Sequence, residues 1–515
     1  MALVSEKTET GAQAKAEIEL PVTRHYIDGA FCDGGDRRGP IYNPATGEKR
    51  AEVLFADVAT IDRAVASAKR ALPEWRDASL GKRAKVLFAF RELVTQHADE
   101  LAKILTLEHG KVFSDAQGEV ARGLEVVEFA CGIPHLMKGE FSENVSQQVD
   151  SYSLRQPVGV VAGITPFNFP AMVPMWMYPI AIACGNTFVL KPSERDPSAS
   201  NLIAELFEKA GLPKGVYNVV HGDKVAVDRL LAHPDVAAVS FVGSTPIAKY
   251  VYENGARAGK RVQALGGAKN HMVVLPDADM DLAADAAVSA GYGSAGERCM
   301  AISVLLTVGD AADRLMPKIV ERIAKVKVGD GLEKGSEMGP LVTKDHLQRV
   351  RSYVDNAKGE GATIVADGRG VNVEGRPNGF YLGPCLIDQV KPGMKLYEDE
   401  IFGPVLSVVR AQSYDEAIRL VNSNRRANGV AVFTNDGGAA RKFQNEIEVG
   451  MVGINVPIPV PMAFYSFGGW KESLFGDMSV HGMEGVRFYT RPKVVTSRWP
   501  DPRNRGTNLG FPTTK

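Results

Sequence analysis

Short apolar runs alternate with helix-length segments through the middle of the chain. Five of these runs have the length and composition of buried strands, at residues 158–164, 187–190, 216–220, 237–242 and 261–265. A continuous apolar run predicts a strand that is covered on both faces, and regular alternation with helices is typical of a parallel sheet. The pattern therefore predicts an α/β fold built on a doubly wound parallel sheet.

The segments before this region show other patterns. Residues 25–54 alternate short apolar runs with glycine and proline, which predicts a small β-layer. Residues 57–139 carry apolar positions at helical spacing, and Asp57 is the expected N-cap of the first helix. Two polar segments without helical period, 142–153 and 486–498, are candidates for strands that extend away from the body of the protein.

A second series of predicted strands and helices runs from residue 304 to residue 455. A chain of 515 residues is too long for one hydrophobic core, so two or three domains are expected. We place a domain boundary near residue 270, between the two series. Residues just ahead of 304 would then lie in the cleft between two domains.

Composition and charge exclude several classes of function. The chain has 60 Lys and Arg against 61 Asp and Glu, so it lacks the basic excess that predicts binding to nucleic acid or anionic membranes. No run approaches the ~18 apolar residues of a membrane span, and the N-terminal residues resemble neither a secretory signal nor a transit peptide. The five cysteines are odd in number and scattered, which argues against a disulfide scaffold or a metal site. We therefore expect a cytoplasmic protein that acts on small molecules.

The candidate nucleophile is Cys299, which follows glycines at positions 291, 293 and 296. These glycines predict a backbone that turns sharply or lets a ligand approach closely. We expect Arg298 to favour the reactive thiolate, because a neighbouring cation lowers the pKa of a thiol. On spacing alone, a small buried structural cysteine is an equally good interpretation.

Polar residues and glycines follow the predicted parallel strands, at the carboxyl ends where such sheets bind ligands. Asn168 follows the first run, Lys191 and Glu194 the second, and Gly243 and Ser244 the fourth. The turn at Gly243 and Ser244 can hold one phosphate with backbone N–H groups, although a capped helix without a ligand fits the same pattern. Lys191 and Glu194 can hold ribose hydroxyls. A carboxylate there would repel the 2′-phosphate of NADP, so NAD is the expected dinucleotide.

From about residue 25 to residue 499 the chain resembles the aldehyde dehydrogenases. The motifs that carry the resemblance are TPFNFP (165–170), KPSE (191–194), FVGST (241–245), LGG (265–267), GERCMA (296–301), EIFGP (400–404) and FGG (467–469). The resemblance implies that Cys299 attacks the aldehyde, while Asn168 and the backbone N–H of Cys299 form the oxyanion hole. It also implies NAD contacts from the matching positions Thr165, Phe167, Leu265, Gly266, Glu400 and Phe402.

The family's architecture implies domain bounds for this chain. A doubly wound NAD-binding domain would comprise residues 25–141 and 157–270, and an α/β catalytic domain would comprise residues 271–470. The polar segments 142–156 and 485–500 would form a small β oligomerisation layer, so the resemblance implies a homo-oligomer, expected to be a tetramer built from dimers. Residues 1–22 would remain a loose N-terminal tail.

One position departs from the pattern of the hydrolytic members. Immediately before the Leu-Gly-Gly motif they carry a glutamate, and this glutamate activates water. This chain has Ala264 at that position. A methyl group cannot act as a general base, so we expect the acyl-enzyme to resist water and to transfer its acyl group to coenzyme A. Glu297 is the alternative base, because it lies two residues from Cys299. In that case the enzyme would release a free acid.

Ala264 occurs together with the motifs GAKNH (267–271) and NVPIPVP (455–461). In these features the chain resembles the CoA-acylating methylmalonate-semialdehyde dehydrogenases. In that family two arginines bind the substrate carboxylate, and the matching positions are Arg122 and Arg298. Guanidinium groups suit this task because they stay charged and bind carboxylates bidentately. Trp176 is a candidate for the substrate tunnel, with a core position as the alternative.

The substrate class follows from the same resemblance. It implies that methylmalonate semialdehyde becomes propionyl-CoA, and that malonate semialdehyde becomes acetyl-CoA, with loss of CO2. An inactive scaffold on the same fold is a further alternative, which the cysteine, the oxyanion amide and the cofactor-site residues in register argue against.

Overall fold

The computed structural model describes residues 20–501, together with Arg503, Thr507 and Leu509. Residues 1–19, which make up most of the expected tail, lie outside the described residues, and Val22 belongs to a short strand. Within the described residues, no helix is both long and apolar enough to cross a bilayer. The same part of the chain forms two large sheets and three small ones.

The first large sheet has eight strands. Their order across the sheet is Leu474–Phe475, Arg261–Leu265, Val236–Val242, Val160–Ile164, Thr187–Lys191, Tyr217–Val219, His25–Ile27 and Ala30–Cys32. The five inner strands that the apolar runs predicted are parallel, and antiparallel strands pair with both of their edges. The expected parallel α/β sheet is therefore confirmed. Its inner strands are apolar because helices cover both faces.

The second large sheet has seven strands. Their order is Thr363–Ala366, Cys385–Asp388, Val405–Ala411, Ile302–Val308, Asn270–Val274, Gly429–Phe433 and Met451–Ile454, and all but the first are parallel. Only residues 266–269 separate the strand ending at Leu265 from the strand beginning at Asn270. The carboxyl edge of the first sheet therefore meets the amino edge of the second at this connection.

The small sheets lie at other places in the chain. They are Val22–Thr23 with Glu48–Phe55 and Arg37–Asn43; Arg426–Ala427 with Trp470–Lys471; and Phe141–Ser146 with Val149–Pro157 and Thr490–Arg498. The last sheet pairs the two polar segments in antiparallel register, from Thr490 opposite Pro157 to Arg498 opposite Val149. Its role in assembly and the expected domain bounds stay predictions.

The helices of the described residues flank these sheets. They span Val58–Asp77, Leu80–Gln96, Ala98–His109, Phe113–Cys131, Ile133–Leu136, Met172–Ala183, Ser198–Lys209, Lys224–Ala232, Thr245–Arg257, Met280–Tyr292, Ala311–Ile323, Lys344–Asn356, Lys395–Glu398, Tyr414–Ser423, Gly437–Glu446 and Gly482–Phe488. Short 3-10 turns form at Gly293–Gly296 and Gly368–Gly370. The carboxylate of Asp57 accepts from the N–H of Thr60, so the expected N-cap is confirmed.

Two of these helices bear on the site. The Met172–Ala183 helix is buried on every side and packs against the Phe113–Cys131 helix. The contact is close because Gly123 has no side chain, and a Cβ there would lie 2.6 Å from the sulfur of Met175. The positions of the two helices are therefore tightly coupled.

Candidate active site

The loop before Cys299 has an unusual backbone. Ser294, Ala295 and Gly296 follow one another with φ angles of 53°, 51° and 73°. Left-handed backbone is unfavourable for residues that carry a Cβ, so the surrounding structure must hold this turn in place. At Gly296, a Cβ would stand only 2.2 Å from the carbonyl oxygen of Gly403. The sharp turn predicted from the glycines is present.

The thiol of Cys299 is half-buried and forms no disulfide. Burial raises its pKa to about 12, the carboxyl of Glu400 adds to the rise, and Arg298 opposes it least strongly. The expected influence of Arg298 thus has the right sign but does not determine the state of the thiol. Arg298 also has its own partner, because its guanidinium lies 2.6 Å from Asp115 Oδ1.

The pocket beside Cys299 brings together four of the predicted site residues. It is lined by Arg298, Cys299, Glu400 and Phe402, with small and apolar residues between them. The carboxylate of Glu400 accepts from the backbone N–H of Ala268 at 2.8 Å. This approach is possible because residue 267 is a glycine, whose Cβ would stand 2.1 Å from Glu400 Oε2.

Phe402, on the same loop as Glu400, has a φ angle of 61°. Its carbonyl oxygen accepts from Nε2 of His346 at 2.6 Å, which stabilises this left-handed position. The Phe402 ring lies edge-on to Phe167, with 5.7 Å between the ring centroids. Two residues predicted to contact the cofactor therefore meet, although their motifs are more than 200 residues apart in the chain.

The remaining predicted cofactor residues lie at one edge of the first sheet. Thr165, Lys191, Gly243 and Gly266 each end or follow one of four neighbouring parallel strands. Adjacent positions are tied by backbone bonds, from Thr165 N to Lys191 O at 3.1 Å and from Gly243 N to Leu265 O at 3.0 Å. These residues form a continuous row, as expected for a ligand at the carboxyl ends of parallel strands.

Two side chains add charge to this row. The ammonium of Lys191 lies 2.9 Å from a carboxylate oxygen of Glu194, which remains partly exposed. Ser244 is the N-cap of the Thr245–Arg257 helix, but its hydroxyl makes no capping bond within that helix. Pro246 has no N–H, and the N–H of Ile247 donates to the carbonyl of Ser244 at 3.0 Å. The donors left for a phosphate at this helix start are therefore the N–H of Thr245 and the Ser244 hydroxyl.

Asn168 is buried, and its backbone carbonyl accepts from the ammonium of Lys111 at 2.7 Å. Between residues 20 and 501, the hydrogen bond that Asn168 makes is this backbone bond, and its side-chain amide forms none. The backbone N–H of Cys299 likewise donates to no carbonyl oxygen in that range. Both predicted donors are therefore free of backbone carbonyls, and the N–H of Cys299 lies close enough to its own sulfur to lower the pKa of the thiol. Asn168 itself does not line the pocket beside Cys299.

Arg122 and Trp176, the other two residues predicted to bind the substrate, each contact other parts of the chain. The Arg122 guanidinium donates to Glu125 at 2.8 Å and to the carbonyl of Pro461 at 2.9 Å. The Trp176 ring packs on Phe467, with centroids 4.6 Å apart, and it is buried. Neither residue lines the pocket beside Cys299. Their substrate roles stay predictions.

Glu297, the alternative base, points away from the pocket. Its carboxyl is fully buried, 3.4 Å from His346 Nε2 and 3.7 Å from His109 Nε2. Burial raises the pKa of this carboxyl well above its usual range. A fully buried carboxyl that does not line the pocket is a poor general base.

The position of the missing glutamate is equally closed. Ala264 is fully buried in the Arg261–Leu265 strand, opposite Phe241 on one side and Phe475 on the other. No ionisable group occupies this position. Positions 264 and 297, the two candidates for a water-activating base in the sequence, therefore provide no such base.

Several residues with clear contacts in the site were not predicted. Asn270 donates to the carbonyl of Cys299, and Asp115 pairs with Arg298. Lys111 and Glu119 form a buried ion pair at 2.5 Å beside Asn168. Asn270 stood in the GAKNH motif, which could have drawn attention to it, whereas the other three carried no local signal.

The profile of the Aldehyde dehydrogenase family matches residues 31–495. Malonate-semialdehyde dehydrogenase of Pseudomonas aeruginosa is 56% identical over 491 residues, which is 95% of this chain and 99% of that protein.

Two solved structures have the same fold throughout. A putative methylmalonate-semialdehyde dehydrogenase from Sinorhizobium meliloti, in complex with NAD, superposes with a TM-score of 0.93 at 54% identity, covering 94% of this chain and 99% of that one. Methylmalonate-semialdehyde dehydrogenase from Oceanimonas doudoroffii gives a TM-score of 0.93 at 53% identity with the same coverage. The resemblance carried by the motifs is confirmed, and the chain belongs to the aldehyde dehydrogenase family.

Proposed function

We propose that this protein is an NAD-dependent, CoA-acylating semialdehyde dehydrogenase. Its substrates are methylmalonate semialdehyde and malonate semialdehyde, and its products are propionyl-CoA and acetyl-CoA. The observation that carries the proposal is the buried methyl of Ala264 at the position where hydrolytic members place their base. The names of the relatives, malonate- and methylmalonate-semialdehyde dehydrogenase, support the same substrate class.

The predicted cofactor residues at the carboxyl edge of the first sheet fit NAD. The Thr165 hydroxyl oxygen is buried without a hydrogen-bond partner in the described residues, so a ligand hydroxyl or amide would satisfy it. The carboxylate of Glu194, which pairs with Lys191, would repel a 2′-phosphate, and this supports NAD over NADP. Glu400 and Phe402 would position the ribose and the ring. When bound, NAD supplies the hydride acceptor.

The chain's own residues perform the acylation. The sulfur of Cys299 loses its proton and bonds to the aldehyde carbon, which places negative charge on the carbonyl oxygen. The Asn168 amide and the Cys299 backbone N–H donate to that oxygen and stabilise it. Losing one such donor typically costs about 100-fold or more in rate. Loss of hydride from the same carbon leaves a thioester on Cys299.

The substrate carboxylate determines the next steps. Arg122 and Arg298 would bind it and select 3-oxo acids over simple aldehydes. When the carboxylate leaves as CO2, its bonding electrons pass to the thioester, whose enolate oxygen the same two donors stabilise. The enolate then takes up a proton. The thiolate of coenzyme A attacks the thioester carbon and displaces Cys299, a step that requires no water-activating base.

We also propose that the enzyme is a cytoplasmic homotetramer built from dimers. The sheet formed by Phe141–Ser146, Val149–Pro157 and Thr490–Arg498 supports assembly, because it exposes apolar side chains such as Phe141 and Val494. Exposed apolar side chains on a small sheet are typical of a surface that another subunit covers. Five cysteines without a disulfide are consistent with a reducing compartment.

One experiment tests the function. NADH formation from methylmalonate semialdehyde and NAD is followed with and without coenzyme A, and the acyl product is identified by mass. We expect steady turnover only with coenzyme A, and propionyl-CoA as the product. Comparable turnover without coenzyme A, with release of a free acid, would replace this proposal with the hydrolytic function.

A further inference from the structure

A buried ion pair lies directly behind the turn that carries Asn168. The ammonium of Lys111 lies 2.5 Å from Glu119 Oε2, and both side chains are fully buried. The same ammonium donates to the backbone carbonyl of Asn168 at 2.7 Å. It also lies 4.3 Å from the centroid of the Phe169 ring, which attracts a cation. Lys111 therefore contacts two successive residues of the turn.

Glu119 holds the other end of the same turn. Its Oε1 accepts from the backbone N–H of Ala171 at 2.8 Å and from that of Met172 at 3.1 Å. These groups begin the Met172–Ala183 helix, whose own N-cap residue provides no side-chain bond. A carboxylate at a helix N-terminus satisfies orphan donors and interacts favourably with the helix dipole. Glu119 thus caps this helix from the neighbouring Phe113–Cys131 helix.

We propose that Lys111 and Glu119 are positioning residues for the oxyanion-hole amide of Asn168. Together they fix the backbone at both ends of residues 168–171, and this backbone determines where the Asn168 side chain points. The inference rests on the proposed function, because it assumes that Asn168 stabilises the oxyanion.

The chemistry of the pair supports positioning over stability. A buried ion pair usually contributes no more net stability than apolar side chains of the same size, because both charges lose their hydration. Its hydrogen bonds are strongly directional, however, and fix the groups that they contact. A displacement of about 1 Å at a reacting centre can cost about 100-fold in rate, so small errors in the Asn168 position matter.

The test is a double-mutant cycle on the pre-steady-state burst of NADH formation. The variants are Glu119→Gln, Asn168→Ala and their combination, measured with methylmalonate semialdehyde. We expect Glu119→Gln to slow the burst by about 10-fold to 100-fold, and to cause little further loss once Asn168 is alanine. Glu108→Gln is the matched control, because Glu108 is equally buried but its carboxylate accepts from Arg50 and from the N–H of Ser198 and makes no bond to residues 168–171.

A second variant tests the same role if Glu119→Gln fails to fold. The double change Lys111→Met with Glu119→Gln removes both charges together and leaves no unpaired ion. It should keep a thermal unfolding midpoint close to wild type and still lose the burst rate. If the rate losses of Glu119→Gln and Asn168→Ala multiply in the combined variant, then the two residues act independently. That result would overturn the positioning role and leave the proposed function standing. A wild-type burst in Asn168→Ala would overturn the proposed function, and the inference with it.

Discussion

The side-chain amide of Asn270 donates to the backbone carbonyl of Cys299 across 2.9 Å. The same Nδ2 donates to the carbonyl of Ala301 at 3.0 Å, and Oδ1 accepts from the N–H of Gly429 at 3.0 Å. One buried amide therefore fixes the backbone on both sides of Met300 and ties it to a neighbouring strand. This anchor holds Cys299 in place directly after the strained left-handed turn.

Asn270→Asp should slow the acylation burst by about 10-fold or more, because the carboxylate keeps the bond from Gly429 but cannot donate to either carbonyl. The burst amplitude and rate, measured by stopped-flow absorbance of NADH, report this directly. Asn424→Asp is a control, since the Oδ1 of Asn424 accepts from the N–H of Arg426 and makes no bond to Cys299 or Ala301. A burst as fast as that of the wild type would contradict the anchoring role.

The high pKa of Cys299 predicts the pH dependence of its alkylation. Below a pKa of about 12 the thiolate fraction rises with pH, so alkylation by iodoacetamide without NAD should accelerate by about tenfold per pH unit from pH 7 to 10. Glu400→Gln should accelerate it at fixed pH, and Arg298→Met should slow it. Peptide mapping identifies the modified cysteine. A rate that levels off near pH 8 would contradict the raised pKa.

Arg122 is held by Glu125 and Pro461, which fixes the plane of its guanidinium. Arg122→Lys keeps the charge but loses bidentate geometry. We expect KM for methylmalonate semialdehyde to rise by about tenfold or more, and KM for propanal to stay near that of the wild type. Arg91→Lys is a matched control, because Arg91 forms an exposed pair with Glu128 at 2.8 Å. Equal effects on both aldehydes would argue against carboxylate binding.

The strands of the first sheet and the loop of Cys299 could be predicted because their signals are local. Apolar runs report burial on both faces of a strand, and clustered glycines report a sharp turn. The pairing of Arg298 with Asp115 could not be predicted in this way, because 183 residues separate them and only the folded topology brings them together. For a similar reason, the sequence did not show which way the Glu297 side chain points. Its neighbours His109 and His346 come from distant helices.

Lys269 links stability to pH. It is fully buried, its ammonium donates to the carbonyls of Leu396 and Asp399, and burial lowers its pKa from 10.5 to about 7. Between these two pKa values the unfolded chain binds more protons than the folded one, so this contribution to stability rises with pH across that window. Below pH 7 both states are protonated, and the contribution stays constant at its least favourable value.

Lys269→Met removes that titration. From pH 7 to pH 10, the thermal unfolding midpoint of the variant should gain less, or fall more, than that of the wild type. Differential scanning fluorimetry of both proteins in the same buffers measures the difference between their slopes. Lys103→Met, at an exposed helix position, controls for the loss of a lysine. Parallel slopes would mean that Lys269 keeps an ordinary pKa in the folded protein.

The last prediction concerns the missing base. Ala264→Glu adds a carboxyl to a closed apolar cluster between Phe241 and Phe475, where overpacking should lower the unfolding midpoint. Hydrolytic members use a glutamate at this position to activate water, so we expect folded Ala264→Glu to release free acid without coenzyme A faster than the wild type, as measured by mass. Ala264→Gln matches the size without the acid, and it should not gain this activity. If Ala264→Glu folds and releases no more acid than Ala264→Gln, then the missing carboxylate by itself does not explain the preference for coenzyme A.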